Sequence, residues 1–195
     1  NWLLFFEWDD VGWVDDSEKD DLDADALLES IQEGTRQANE ERTSRGWPTI
    51  EIVGWHEAPH YDERTKNLTW AIEGNSGGNR VLNRMVKLLG RHGVMTVTIV
   101  SDPEEIAPAS AASDQLLAGY QFQPGSTYAE YVPGKDKLAS YGLTAQVAGG
   151  LGAAAVKSGL LGKFWKFLVG IAVGGGAGVK PLVVGRRHIV GPAPG

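Results

Sequence analysis

The chain has 195 residues, no cysteine, and a formal net charge of −7. The absence of cysteine excludes disulfides, thiolate catalysis and Cys-based metal sites. All 25 acidic residues fall at or before Asp136 with 11 of the 18 Lys and Arg, which makes residues 1–136 carry −14 and leaves +7 on the remainder. An acidic folded half without a clustered Lys/Arg footprint is the wrong surface for a nucleic-acid backbone, so nucleic acid is not an expected partner.

In chain order, the opening NWLLFFEWDDVGWV mixes aromatic and aliphatic residues, too apolar for an exposed tail, with acids around Gly12, which favours one or two strands or core over an interfacial aromatic belt. The run DDSEKDDLDADALLESIQEGTRQANEERTSRG follows. Asp20, Asp21 or Asp23 caps a helix there whose apolar face holds Leu27, Leu28, Ile31 and Ala38. Arg42 and Arg45 lie near its end, and Gly46 with Pro48 stops it. The acids from Asp15 to Asp25 do not form a calcium loop, because no glycine occurs between Asp15 and Gly34 to make the central turn.

WPTIEIVGW alternates as a strand with Ile50, Ile52 and Gly54 on one face. Immediately after it, His56, Glu57 and His60 spell H-E-x-x-H, the zinc-protease order. That motif works only where a helix sets the two His one turn apart, and Pro59 inside it opposes a helix. The segment is expected to be a strand end, and no metal, cofactor or catalytic residue is assigned. A polar turn from Asp62 to Asn67 leads to a strand NLTWAI with Leu68, Trp70 and Ile72 on one face, and GNSGGN is expected to be a flexible connection. RVLNRMVKLLGRHGVMTVTIV is expected to form strand, turn and strand. Asp102 and Pro103 open a second helix that offers Ile106, Ala109, Leu116 and Leu117 for packing. GYQFQPG is expected to be a short strand leaving the domain, followed by a polar-aromatic bridge. These elements define an α+β domain, a mostly antiparallel sheet with two helices.

Residues 138–179 contain no acid. A membrane helix needs about 20 mainly apolar residues, a length that residues 160–179 supply with Lys163 and Lys166 near their start. Residues 138–156 are a second, small-residue-rich candidate whose Gly149, Gly150 and Gly152 allow close helix packing. The expected organisation is an acidic extracytoplasmic α+β domain at 1–133, N-terminally incomplete, a membrane-proximal or packed helix at 134–159, a C-terminal transmembrane helix at 160–180 and a basic tail at 181–195. Arg186 and Arg187 favour a cytoplasmic tail.

Several blocks in order carry a resemblance: GWVDD (12–16), DLDADALLESIQEGTRQANEERTSRG (21–46), VGWHEAPHYDERTKNLTWAIE (53–73), LLGRHGV (88–94), LLAGYQFQPGSTYAEY (116–131) and DKLASYGLTAQVAGGLGAAAVKSGL (136–160). Together they resemble the bacterial family of domain of unknown function 2167, described as predicted membrane-anchored proteins. The resemblance implies a signal sequence, a domain outside the cytoplasmic membrane and a C-terminal hydrophobic anchor, and it brings no established activity or catalytic set. The expected partners are the lipid bilayer and a membrane or envelope protein, at the cytoplasmic (inner) membrane. The leading expectation is a protein-binding or organising module. An envelope hydrolase and an accessory subunit of a transport complex are the alternatives.

Overall fold

The computed structural model of the chain describes residues 2–148. Five strands, β1 (Trp2–Asp9), β2 (Ile50–Asp62), β3 (Asn67–Ser76), β4 (Asn79–Leu89) and β5 (Val94–Ser101), form one sheet in the order β1-β5-β4-β3-β2. Every neighbouring pair is antiparallel. The helices are α1 (Ala24–Ser44), α2 (Ile106–Leu117) and the short α3 (Leu143–Val147). This is the α+β class expected, and the third, short helix falls inside the stretch 134–159 that was expected to hold a membrane-proximal or packed helix.

Alternation along the strands sends successive side chains to opposite faces. On one face Ile50, Ile52, Leu68, Trp70, Ile72, Met85, Leu89 and Val94 form a cluster with Leu27 and Ile31 of α1. On the other, Val86, Leu88 and Val97 pack with Leu4, Met95 and Leu117. Asp23 caps α1 by accepting from the amides of Asp25 and Ala26, and Gly46 stands just past its end at φ +71. Asn39 latches the helix to β2 through a reciprocal pair, Nδ2 donating to the carbonyl of Ile50 at 2.7 Å and Oδ1 accepting from its amide at 2.8 Å. The buried face of α1 comprises Leu27, Ile31, Thr35 and Arg42. It ends on the stem of an arginine whose Nε donates to the carbonyl of Pro48.

Three local expectations are corrected. GNSGGN is a tight hairpin: Gly77 and Gly78, at φ +60 and +86, join Ser76 to its partner Asn79, the left-handed pair that matches the twist of the flanking strands. Residues 120–125 form no strand. Phe122 instead sits against Gly90, where a Cβ would meet its ring at 2.8 Å, so the segment crosses the sheet instead of extending it. Leu116 is exposed, and the packed face of α2 is Ile106, Ala109 and Ser113, with Leu117 at its end.

After α2 the chain returns to the domain. Trp13 and Leu138 form a parallel bridge, Arg91 holds Asp136 through two hydrogen bonds of 2.7 and 3.0 Å, and Leu143, Val147 and Ala148 join the core cluster that includes Leu27 and Ile31 of α1. Leu143, Gln146, Val147 and Ala148 of the small-residue-rich stretch are therefore buried in the domain. The remainder of that stretch and the expected transmembrane helix at 160–180 lie outside the described residues. Among the described residues, no helix is long and apolar enough to cross a membrane.

The outer strand β1 is pinned by a steric fit at Gly93, where a Cβ would lie 2.1 Å from the carbonyl oxygen of Asp9. Gly93→Ala is therefore expected to lower unfolding stability by about 2–4 kcal/mol, whereas Gly54→Ala, with open space around it, stays within about 0.5 kcal/mol of the parent or gains slightly. Urea unfolding of the two variants checks the difference.

Candidate functional site

The H-E-x-x-H residues lie on β2, with Pro59 among them, as a strand. The strand pairs irregularly with β3, slipping register between Ile52 and Gly54, Trp55 and Glu57, and Glu57 and His60. His60 Nδ1 lies 3.2 Å from the carbonyl of Ala58 and 3.7 Å from Glu57 Oε1. Glu57 in turn accepts from Arg84 Nε at 3.1 Å, and Arg84 also donates to Asp114 on α2 at 2.8 Å. An open cleft of about 350 Å³ lies over this group, lined by His56, Glu57, Arg84, Ile106, Ala107 and Ser110. Its fixed charges are engaged with each other. Arg84 is held between two carboxylates, and His60 is not among the lining residues. Among the described residues no group of three or more His, Asp or Glu is placed to hold a metal ion.

A second polar cluster joins three distant segments. Asp16 accepts from Tyr61 Oη at 2.8 Å and from Lys66 Nζ at 3.0 Å. The Lys66 ammonium also lies over the rings of Tyr61 and Tyr128, 5.8 and 5.2 Å from their centroids. Lys66 reaches this position from a left-handed backbone, φ +57, that its side-chain contacts hold in place. Tyr128 Oη donates to the carbonyl of Val14 at 2.8 Å, and Trp13 stacks on both Tyr128 and Tyr131. Burial pushes the Asp16 carboxyl up, but the hydrogen bonds from Lys66 and Tyr61 and the lysine charge outweigh it and hold the group below its usual range. Burial, reinforced by Asp16, pushes the phenols of Tyr61 and Tyr128 far above theirs. Two phenols that hold their protons and one ion-paired carboxylate make a clasp, not an acid–base pair. The sequence reading missed Asp16 because it sits in a run of acids. The signal available was that Asp16, Tyr61 and Tyr128 each fall in one of the ordered blocks quoted above.

The third feature is β1. Trp2, Leu3, Phe5, Phe6 and Trp8 are 39, 56, 41, 48 and 44% exposed, on both faces of one outer strand. Among the described residues nothing pairs with its far side, since β5 is its one neighbour in the sheet. Proteins blunt such edges with proline, bulges, lysine or inward charges. The opposite edge, β2, has Pro59 and three register shifts, while β1 pairs continuously with β5 from Trp2 to Asp9, contains no proline, lysine or bulge, and carries Glu7 and Asp9 as its charges.

The model of the family described as "Protein of unknown function (DUF2167)" matches residues 1–179. The chain belongs to the DUF2167 family. No curated protein matches it, and no solved structure does. The family match runs through the whole described domain of this DUF2167 chain, including the clasp, the cleft and β1, and past it to residue 179.

The clasp yields a pH-dependent prediction. A folded-state pKa held below the unfolded value makes Asp16 stabilising above the unfolded value and removes that contribution as pH falls through the folded one. Asp16→Asn is expected to cost about 1–3 kcal/mol at neutral pH and to flatten the loss of stability below about pH 4. Thermal unfolding of parent and variant across that range checks both.

Proposed function

We propose that this DUF2167 chain is a membrane-tethered module of the bacterial cell envelope whose acidic domain binds a protein partner by accepting an extended strand along β1. The observation that carries the reading is the asymmetry of the sheet, one edge interrupted by proline and bulges and the other continuous, apolar and uncovered among the described residues. Strand addition to such an edge supplies main-chain hydrogen bonds for affinity and alternating side-chain contacts for specificity. The acid-free residues 138–179, with a bilayer-length apolar run at 160–179, support tethering. Partner binding is favoured over hydrolysis by the engagement of Glu57 with Arg84 in the cleft beside His56, which ties up the carboxylate there.

Tethering predicts that the full chain sediments with membranes, resists alkaline carbonate and is released by detergent, and that deletion of residues 160–179 makes it extractable without detergent. Release of the full chain by carbonate alone would contradict it. For the strand-docking surface, a photo-crosslinking amino acid at Phe6 is expected to capture a protein in intact cells, whereas the same group at Gln37, on the exposed side of α1, captures none. Capture at Gln37 alone would move the interface off β1.

A further inference from the structure

The strand that β1 accepts has to satisfy its edge and its side chains together, and β1 itself does so. In an antiparallel pair related by a two-fold axis normal to the sheet, residues i and j of the two copies face each other on the same side of the sheet only where i + j is even. Placing Phe5 on the axis sets Phe5 opposite Phe5 of the second copy, Trp2 opposite Trp8, Leu4 opposite Phe6, and Leu3 opposite Glu7. Trp2, Leu4, Phe6 and Trp8 share the sheet face that carries α2, with Leu4 in that face's apolar cluster and Trp8 edge-on to Phe122 at 6.1 Å. The aromatic row of one copy therefore continues into that of the other on one side of a joined sheet.

The acids are compatible with this register. Glu7 meets an aliphatic residue and no other acid. It also lies in the same cross-strand row as Lys87, through Thr96 of β5, and Lys87 Nζ donates to Thr96 Oγ1 at 3.2 Å. Asp9 falls outside the apolar pairs. Moving the axis to Glu7 would set two carboxylates face to face, and moving it to Phe6 would bring Asp9 against Leu3 and so place a second acid among the apolar pairs. Exposure of the five side chains leaves on the order of 400–500 Å² of apolar surface per copy. Two copies with their backbone edges thus bury at most about 1,000 Å², the lower limit for a specific interface.

Resting on the strand-docking reading above, we infer that the occupant of the β1 edge is β1 of a second copy, giving a two-fold dimer with a continuous ten-stranded antiparallel sheet.

The absence of native cysteine makes the register directly testable with the full chain in mild detergent. Directly opposed residues have Cα atoms about 4.5–5.5 Å apart, inside the roughly 4.4–6.8 Å span of a disulfide. Phe5→Cys is therefore expected to form a covalent dimer under mild oxidation. Leu3→Cys alone is not, because its copies stand roughly 13 Å apart along the strand, whereas a mixture of Leu3→Cys and Glu7→Cys is. Near-ultraviolet circular dichroism under reducing conditions confirms that each variant is folded. No dimer from Phe5→Cys and none from the mixture would overturn the inference, as would equal yields from Phe5→Cys, Leu3→Cys and Gln37→Cys, which report random collision. If Phe6 captures a different protein in cells while Phe5→Cys stays monomeric, the second copy is wrong and the strand-docking reading stands. If neither site yields a product, both fail.

Discussion

An open sheet must end twice, and at each end a row of peptide N–H and C=O groups needs a partner or water. In this domain the two ends are treated differently. On β2 the ladder is broken three times and carries Pro59, and α1 is latched to the strand through Asn39. On β1 the ladder runs without interruption from Trp2 to Asp9, and large apolar side chains stand on both faces. That contrast is the constraint on which the functional account rests, because a folded domain gains nothing by leaving aromatic residues on a flat edge unless something lies against them.

The remainder of the fold holds β1 in place. Gly93 lets the turn between β4 and β5 close against the carbonyl of Asp9, and Gly90 admits the ring of Phe122, which in turn meets Trp8. Beyond β1 the chain is fastened by Trp13 to Leu138 and by Tyr128 to Val14, and Asp16 ties it to Tyr61 and Lys66. The contacts of Tyr128 with Trp13 and Val14 join positions more than a hundred residues apart, and those of Asp16 with Tyr61 and Lys66 span 45 and 50 residues. The polar groups of the clasp and the cleft are engaged with one another: the carboxylate is ion-paired, burial and Asp16 push the phenols up, and the guanidinium of Arg84 bridges Glu57 and Asp114.

Much of this was legible in the sequence wherever local physics decides the outcome. The acids before Leu27 and the Gly46 stop marked α1, alternation marked Leu68, Trp70 and Ile72 as one face of β3, and Pro59 kept His56 and His60 off a helix. What the sequence concealed depends on distant partners. Nothing local says that the first strand pairs with the fifth, so the exposure of Phe5 and Phe6 was hidden and those residues looked like core. Asp16 was masked by its acidic neighbours, and Leu143 and Val147 by an apolar stretch that resembles membrane sequence although these two side chains are buried in the domain.

The outward amides of β1 report on the central claim most directly. In a single copy, pairing with β5 protects alternate amides along Trp2–Asp9 and leaves the others open to solvent. Residue-resolved hydrogen exchange of the full chain is expected to show every amide from Leu3 to Trp8 protected at high protein concentration, and every second one exchanging rapidly on dilution. Alternating protection that persists unchanged at all concentrations and in native membranes would contradict the account, because the edge would then have no occupant.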